Sequence, residues 1–295
     1  MRYLLFTTFA LAACSCAKHV ELPMASRFVS PGVDRLTEVD RADCEYNPSV
    51  VEIEGVVSPS DQGGWPHSDA YAVHCFSFSA WRRLRQPLIK NELTILRPVD
   101  PDGDWFFEYP KLTVHRIRVL LSTDDSRAIF AGKSKDVADT KGLLVVIEEL
   151  KKPVIIATER FGDLTLDRSI GWFEGNVRWN GELVHVTFSP DDNQNINKGL
   201  ATAEKLWSEQ QAWKEKVGSY AVKKLLPLKN DYWLGDGESP LNTDEFISRM
   251  TLQSISILPD GDFEFWHDDG DLFGGHFIQI SGSLDDGLTD ADIPG

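Results

Sequence analysis

The sequence predicts an α+β protein built from two parts, and three observations lead to that prediction. Short apolar stretches recur at regular spacing over residues 46–160, which is typical of a small all-β barrel or sandwich. Over residues 161–295, hairpin signals lie on both sides of a long segment with helical periodicity. The hydrophobic fraction of 42% is sufficient for packed cores. We therefore expect an all-β module followed by an antiparallel sheet with inserted helices.

The first module consists of short predicted strands. Alternating apolar residues place them at 50–57, 70–78, 93–97, 106–109, 113–121 and 127–132. Asp102-Gly103 lies between the third and fourth strands and favours a hairpin there. Apolar runs follow at 143–149 and 154–158, and the second leads into the next domain, whose start we place near Phe161.

The second part contains a strong hairpin signal at Asn180-Gly181, because both residues tolerate positive φ. It joins predicted strands at 170–179 and 182–189. Further strands are predicted at 254–258, 262–267 and 277–283, and an acidic tail follows the last of them.

Two helices are predicted between these hairpins. Apolar residues with a 3.6-residue period extend from about 195 to 226, where Gly218 and Pro227 weaken or end the helix. A second helix at about 243–250 begins after Asn242, and with Glu245 three residues later the pattern is close to a capping box.

The amino-terminal segment resembles the signal peptide of a bacterial lipoprotein. A basic start at Arg2 precedes a short apolar run, which closes on Leu11-Ala12-Ala13-Cys14. The resemblance implies that residues 1–13 are removed and that Cys14 carries lipid. Residues 17 to about 45 lack sustained periodicity and contain Pro23, Pro31 and Gly32, so we predict that 14–45 form a tether. Ser15, not Asp, follows Cys14, which by the same resemblance implies an outer membrane destination facing the periplasm.

The remaining cysteines are Cys16, Cys44 and Cys75. Since Cys16 lies in the predicted tether, Cys44 and Cys75 form the predicted disulfide in an oxidising envelope. The alternative is that Cys75 is a small buried apolar residue.

The charge of the chain is unevenly distributed. Residues 161–295 hold 24 acidic and 10 basic residues, a net charge of −14, whereas the whole chain carries −16 and residues 1–160 therefore −2. Such a surface repels nucleic acid and favours a basic protein partner or cations. The alternative is that the acidic residues serve solubility alone.

Several segments of the second part resemble one known family. They are 171–175, 179–181, the helix at 207–213, 228–234, 249–252, 260–266 and 268–276. On these segments, residues 166–295 resemble the bacterial family called domain of unknown function 2262. The resemblance implies no activity.

The candidate binding surface lies in the last of these segments and just before it. It comprises Glu264, Asp268, Asp269, Asp271 and His276. Three interpretations stay open: a partner-binding surface, a structural turn around Gly270, and a divalent metal site. The spacing fits neither an EF-hand nor a zinc hydrolase motif, so we predict no metal and no cofactor. A binding module is the favoured function, and a metal-assisted hydrolase using the Asp and His residues around Gly270 is the alternative.

The lipid anchor predicts a fractionation result. Replacing the thiol in Cys14→Ser removes the attachment atom, so the chain should leave the membrane fraction. Cys16→Ser is the matched control and should stay with the membrane. Unchanged fractionation of Cys14→Ser would show that lipid on this residue does not hold the protein.

Overall fold

The computed structural model describes residues 44–68, 71–100, 108–136, 138–235 and 237–294. The chain divides into two compact units, Met1–Lys151 and Lys152–Gly295. No helix in these described ranges has the length and apolar character that crossing a membrane requires.

The first unit is a closed β-barrel with one helix. Its elements are β1 Val51–Val57, β2 Gly63–Ser68, β3 Tyr71–Arg83, β4 Leu93–Val99, β5 Val114–Leu121, β6 Arg127–Lys133 and α1 Leu143–Lys151. Five strands follow one another in the order β1-β5-β6-β4-β3, and β3 pairs again with β1 to close the barrel. Strand β2 extends the sheet beyond β3, and β4 with β6 is the parallel pair. The structure thus resolves the expectation of a barrel or a sandwich in favour of a barrel.

Apolar side chains at alternate strand positions fill the barrel. Ile53 and Val57 of β1 point inward together with Phe76 and Phe78 of β3. Gly55 lies between the two β1 side chains, and a Cβ built there would be 2.1 Å from the ring of Phe78. A glycine is therefore required where that ring crosses β1.

Helix α1 covers part of the outer surface of the barrel. Leu143 and Ile147, one helical turn apart, pack against Val56 of β1, while Leu144 and Val145 are exposed. The run at 143–149 therefore forms a helix with one buried stripe, a feature that its five consecutive apolar residues, Leu143 to Ile147, do not reveal.

A buried carboxylate links the barrel to the segment before α1. Glu54, 1% exposed, accepts hydrogen bonds from Arg82 and Arg116 on the flanking strands and from the N–H of Asp139 at 2.7 Å. Burial alone would raise the pKa of the Glu54 carboxyl, but the Asp139 N–H and the two guanidinium groups hold that pKa below its ordinary value. Glu54 is therefore ionised and fixes three segments of the unit.

The second unit is an eight-stranded sheet with three helices. Its strands are β7 Ile155–Thr158, β8 Gly162–Asp167, β9 Trp172–Trp179, β10 Glu182–Phe188, β11 Thr251–Ile257, β12 Phe263–Asp268, β13 Phe277–Ser283 and β14 Gly287–Asp292. Its helices are α2 Asn197–Ser208, α3 Gln210–Tyr232 and α4 Thr243–Arg249. The strands lie side by side in chain order from β7 to β14.

One strand pair departs from the expected antiparallel sheet. Strands β10 and β11 are parallel, and the chain between them contains all three helices. A parallel pair needs a long crossover connection, which here lays the helices on a single face of the sheet. Leu206, Val217 and Phe246 of the helices pack against Val186 and Ile255 of these two strands.

The observed helices differ in detail from those that the apolar periodicity predicts. The predicted helix at 195–226 is two helices, because the chain breaks at Glu209 and α3 then continues through Pro227 to Tyr232. Pro227 lacks an N–H, yet Leu225 and Lys229 on either side of it are buried, and this packing holds the helix. The capping box at α4 is confirmed: Asn242 accepts from the Glu245 N–H at 3.0 Å, and Glu245 accepts from the Asn242 N–H at 2.9 Å.

The predicted hairpin turn is present, whereas the acidic tail differs from its prediction. Asn180 and Gly181 both have positive φ, 49° and 91°, and join β9 to β10 as the hairpin signal predicts. The acidic tail, by contrast, contains β14, which pairs with β13 and packs Leu288 and Ala291 against the core.

The buried ionic cluster around Glu54 gives a stability prediction. Glu54→Gln removes the buried counter-charge of two mostly buried guanidinium groups, which then pair with the exposed Asp139 and Asp136, and should lower the free energy of unfolding by about 3 kcal/mol at neutral pH. Because the pKa of Glu54 is lowered in the folded state, its contribution is present above the unfolded pKa and is lost as pH falls through the folded pKa. The difference between wild type and variant in urea denaturation should therefore shrink on acidification.

Glu92→Gln, at an exposed position, is the control and should change the free energy of unfolding by less than about 0.5 kcal/mol. A pH-independent difference between Glu54→Gln and wild type would contradict the ionic explanation.

Candidate functional site

Segments that are distant in the sequence meet at one corner of the second unit. Trp233, which follows α3, packs edge-on against the rings of Phe273 and His276, with centroids 5.6 and 5.9 Å apart. Phe273 in turn packs against Phe246 of α4. The segments 228–234 and 268–276, both part of the family resemblance, therefore form one aromatic corner.

A buried lysine positions this corner. Lys229, 2% exposed, donates to the Trp233 carbonyl at 2.6 Å and to the Glu238 carboxylate at 2.8 Å. Asn230 beside it bonds both the N–H and the carbonyl of Leu241. These side chains fasten the segment after α3, which explains why a charged residue lies within the core.

This convergence agrees with the family comparison. Residues 158–293 match the family described as "Uncharacterized protein conserved in bacteria (DUF2262)". The resemblance stated from the sequence is thus confirmed for the second unit. No curated protein and no solved structure matches the chain.

Within the DUF2262 region, the turn at 268–276 is closed by Asp269. This carboxylate is 2% exposed and accepts the backbone N–H groups of Asp271, Phe273 and Gly275 at 3.1, 2.6 and 3.2 Å. Gly270 has φ +53°, and a Cβ there would be 2.5 Å from the Arg249 carbonyl oxygen. The carboxylate oxygens of Asp269 therefore stabilise the turn itself.

The other members of the predicted binding surface separate into two places. Glu264 and Asp268 lie four residues apart on β12 and project from the same side of the sheet. Asp271 is exposed on the turn, and His276 is half-buried against Trp233. Among the described residues, no group of three or more His, Cys, Asp and Glu side chains is arranged to hold a metal ion.

The two nearby histidines also lie apart. His267 points toward the core from β12, where burial lowers its pKa to about 4. It is therefore neutral, and it does not share a surface with His276.

The side of the sheet opposite the helices, here called the open face, is polar. Strand register places one row of aligned residues across seven strands: Thr165, Glu174, Thr187, Ser256, Glu264, Ser281 and Asp290. A second row consists of Asn176, His185, Ser254, Trp266, Gln279 and Asp292. Neither row contains a lysine or an arginine, and in the part of the chain that the structure describes no helix of this unit packs on them.

Contacts between neighbours order the open face. The Trp266 indole donates to Glu264 at 3.0 Å, the Thr187 hydroxyl donates to Ser256 at 3.0 Å, and His185 lies 3.4 Å from Glu174. Phe277, 43% exposed, packs edge-on against Trp266. The face thus combines carboxylates, hydroxyls and accessible aromatic rings.

The first unit holds a polar cluster that sequence reasoning missed. The Arg97 guanidinium lies 5.3 Å from the centroids of both the Tyr109 and Phe130 rings and pairs with Glu108, which also pairs with Lys133. Burial raises the pKa of Tyr109 to about 12. These residues come from separate segments, and the one available signal was that Arg97 shares the inward parity of Leu93 and Ile95.

The structure describes two of the four cysteines on which predictions were made. Cys14 and Cys16 lie outside the described residues. Cys44 and Cys75 are both half-buried, and Cys75 packs with Tyr46 on the outer surface of the barrel. The bond between Cys44 and Cys75 stays a prediction.

The turn closed by Asp269 gives a paired prediction. Asp269→Asn replaces one acceptor oxygen with a donor that faces backbone N–H groups, and should lower the free energy of unfolding by about 2 kcal/mol. Asp271→Asn removes the same charge from an exposed position in the same turn and should cost less than about 0.5 kcal/mol. Chemical denaturation of both variants measures the difference, and equal losses would show that Asp269 is not the residue that closes the turn.

Proposed function

We propose that this protein is a lipid-anchored binding protein of the bacterial envelope, attached to the outer membrane and facing the periplasm, whose second unit docks a basic protein segment on the open face. The observation that carries the proposal is the composition of that face. Two aligned rows cross the sheet without a lysine or an arginine, while carboxylates recur along them.

Charge complementarity favours a basic partner. Seven of the ten basic residues between 161 and 295 lie between 198 and 229, on the helical side of the sheet. The open face also carries the exposed Arg178 of β9, but its carboxylates at Glu174, Glu264, Asp268, Asp290 and Asp292 outnumber that charge. Its net negative potential attracts lysine and arginine and repels nucleic acid.

The aromatic residues of the face support a protein partner. Phe277 is exposed, and Trp266 is half-buried beside two carboxylates, Glu264 and Asp268. Exposed aromatic rings next to carboxylates can contact the apolar stems of lysine and arginine while the carboxylates bind their charged ends. A docked basic segment would contact the aromatic rings and the carboxylates at the same time.

The dimensions of the face suit a short extended segment. Glu174 on β9 and Asp290 on β14 are five strand spacings apart, which is about 24 Å at the usual separation of neighbouring strands. An extended segment of about seven residues covers that distance.

A row variant tests the proposal. Glu174→Gln, Glu264→Gln and Asp290→Asn together remove the carboxylates of the first row, and should weaken binding of a fluorescent octalysine peptide about tenfold at low salt. The control combines Glu159→Gln, Glu215→Gln and Asp231→Asn, three exposed residues outside the row, and should weaken binding less than twofold. Raised salt should reduce binding of the wild type more than that of the row variant.

Capture from envelope extract, followed by identification of the retained proteins, extends the same comparison. The proposal expects basic proteins that the wild type and the control retain and the row variant does not. Equal octalysine binding by the row variant and the control would exclude the open face, and salt-independent binding of a neutral polysaccharide there would indicate a different class of partner.

A further inference from the structure

A cleft on the second unit, separate from the open face, has the volume of a small-molecule site. It lies between α3 and the turn that joins β13 to β14, and its volume is about 790 Å³. Pockets that bind small molecules commonly have volumes of about 300–1,000 Å³. Neither the family match nor the proposed function assigns a role to it.

One wall of the cleft is basic. Lys216 and Lys223 are two turns apart on the same side of α3, and Lys205 near the end of α2 joins them. Glu209, between the two helices, also lines this wall, so its three lysines outnumber one carboxylate. The Lys216 ammonium lies 4.2 Å from the centroid of the Trp213 ring. That contact holds one positive charge beside the cleft, over an aromatic surface.

The opposite wall is acidic and ordered. The turn presents Asp285 and Asp286, both exposed. Ser283 donates to the Asp286 carboxylate at 3.1 Å and accepts the Asp286 N–H at 3.0 Å. A Cβ at Gly282 would be 2.3 Å from the Gly287 carbonyl, so the two sides of the hairpin are in close contact. The position of the acidic wall is therefore set by the hairpin itself.

The two walls face each other without neutralising each other. Among the ion pairs between described residues, none joins a lysine of the cleft to Asp285 or Asp286. Leu284 and Leu288, which flank the acidic turn, and the ring of Tyr220 on α3 also line the cleft. The cleft thus combines a mainly basic wall, an acidic wall and apolar lining.

We infer that this cleft binds a zwitterionic molecule with an apolar middle. Its carboxylate or phosphate would meet Lys216 and Lys223, its ammonium group would meet Asp285, and its apolar part would cover Leu284 and Leu288. A purely anionic or purely cationic ligand would satisfy one wall and be repelled by the other.

Three probes with the same alkyl body separate these cases: 8-aminooctanoate, octanoate and octylammonium. Titration of the protein, followed through the methyl resonances of Leu284 and Leu288, gives both the affinity and the location. The inference expects 8-aminooctanoate to bind most tightly.

Single substitutions with matched controls sharpen the test. Lys223→Gln and Asp285→Asn should each weaken 8-aminooctanoate binding about fivefold, the range of one exposed ion pair. Lys214→Gln on the exposed side of α3 and Asp192→Asn in the exposed loop after β10 should leave it within twofold. Asp285→Asn should strengthen octanoate binding, and Lys223→Gln should strengthen octylammonium binding, because each removes a repulsion.

Two results would overturn the inference. Octanoate binding as tightly as 8-aminooctanoate would make the cleft an anion site. The absence of saturable shifts at Leu284 and Leu288 with all three probes would show that it does not take this class of ligand. Neither result bears on octalysine binding at the open face.

Discussion

The parallel pairing of β10 and β11 is the constraint on which the second unit depends. Two parallel neighbours cannot be joined by a tight turn, so the chain must leave the sheet after Phe188 and return at Thr251. The connection contains α2, α3 and α4, and their apolar sides cover one face of the sheet. Among the residues that the structure describes, the same requirement leaves the other face without a helix of this unit, and it brings α3 beside the β13–β14 hairpin to form the cleft.

The first unit also contains a parallel strand pair, which is accommodated in a closed barrel. Its parallel pair, β4 with β6, lies within a cylinder in which β1 pairs on both sides. Glu54 is the clearest consequence, because it lies between arginines of both neighbouring strands and is buried with them. An ionic group in that position costs desolvation, which its hydrogen bonds offset only if all partners are present. The cluster therefore favours one register of β1 over its alternatives.

Features encoded over a few neighbouring residues could be predicted from the sequence, and features that depend on distant pairing could not. The Asn180-Gly181 hairpin and the capping box of Asn242 with Glu245 are local, and both are present. The parallel pair and the helical state of 143–151 depend on partners far away in the chain. The strand within the acidic tail forms a local hairpin with β13, and its distant partners are the core residues against which Leu288 and Ala291 pack. The candidate binding surface shows the same limit. Asp269 and Asp271 look alike in sequence, yet one is buried by the turn it closes and the other is exposed.

The hydrogen bond between Thr187 and Ser256 spans 69 positions of the chain. Closing a loop of that length loses entropy before the central pair of the sheet gains any contact energy, and proteins rich in such distant contacts fold slowly. Hairpins such as β9–β10 and β12–β13 can form early, but each exposes an apolar side until the crossover helices arrive. We therefore expect docking of the crossover helices to limit the folding rate of this unit, and the partly formed sheet to be prone to association with other chains before they dock.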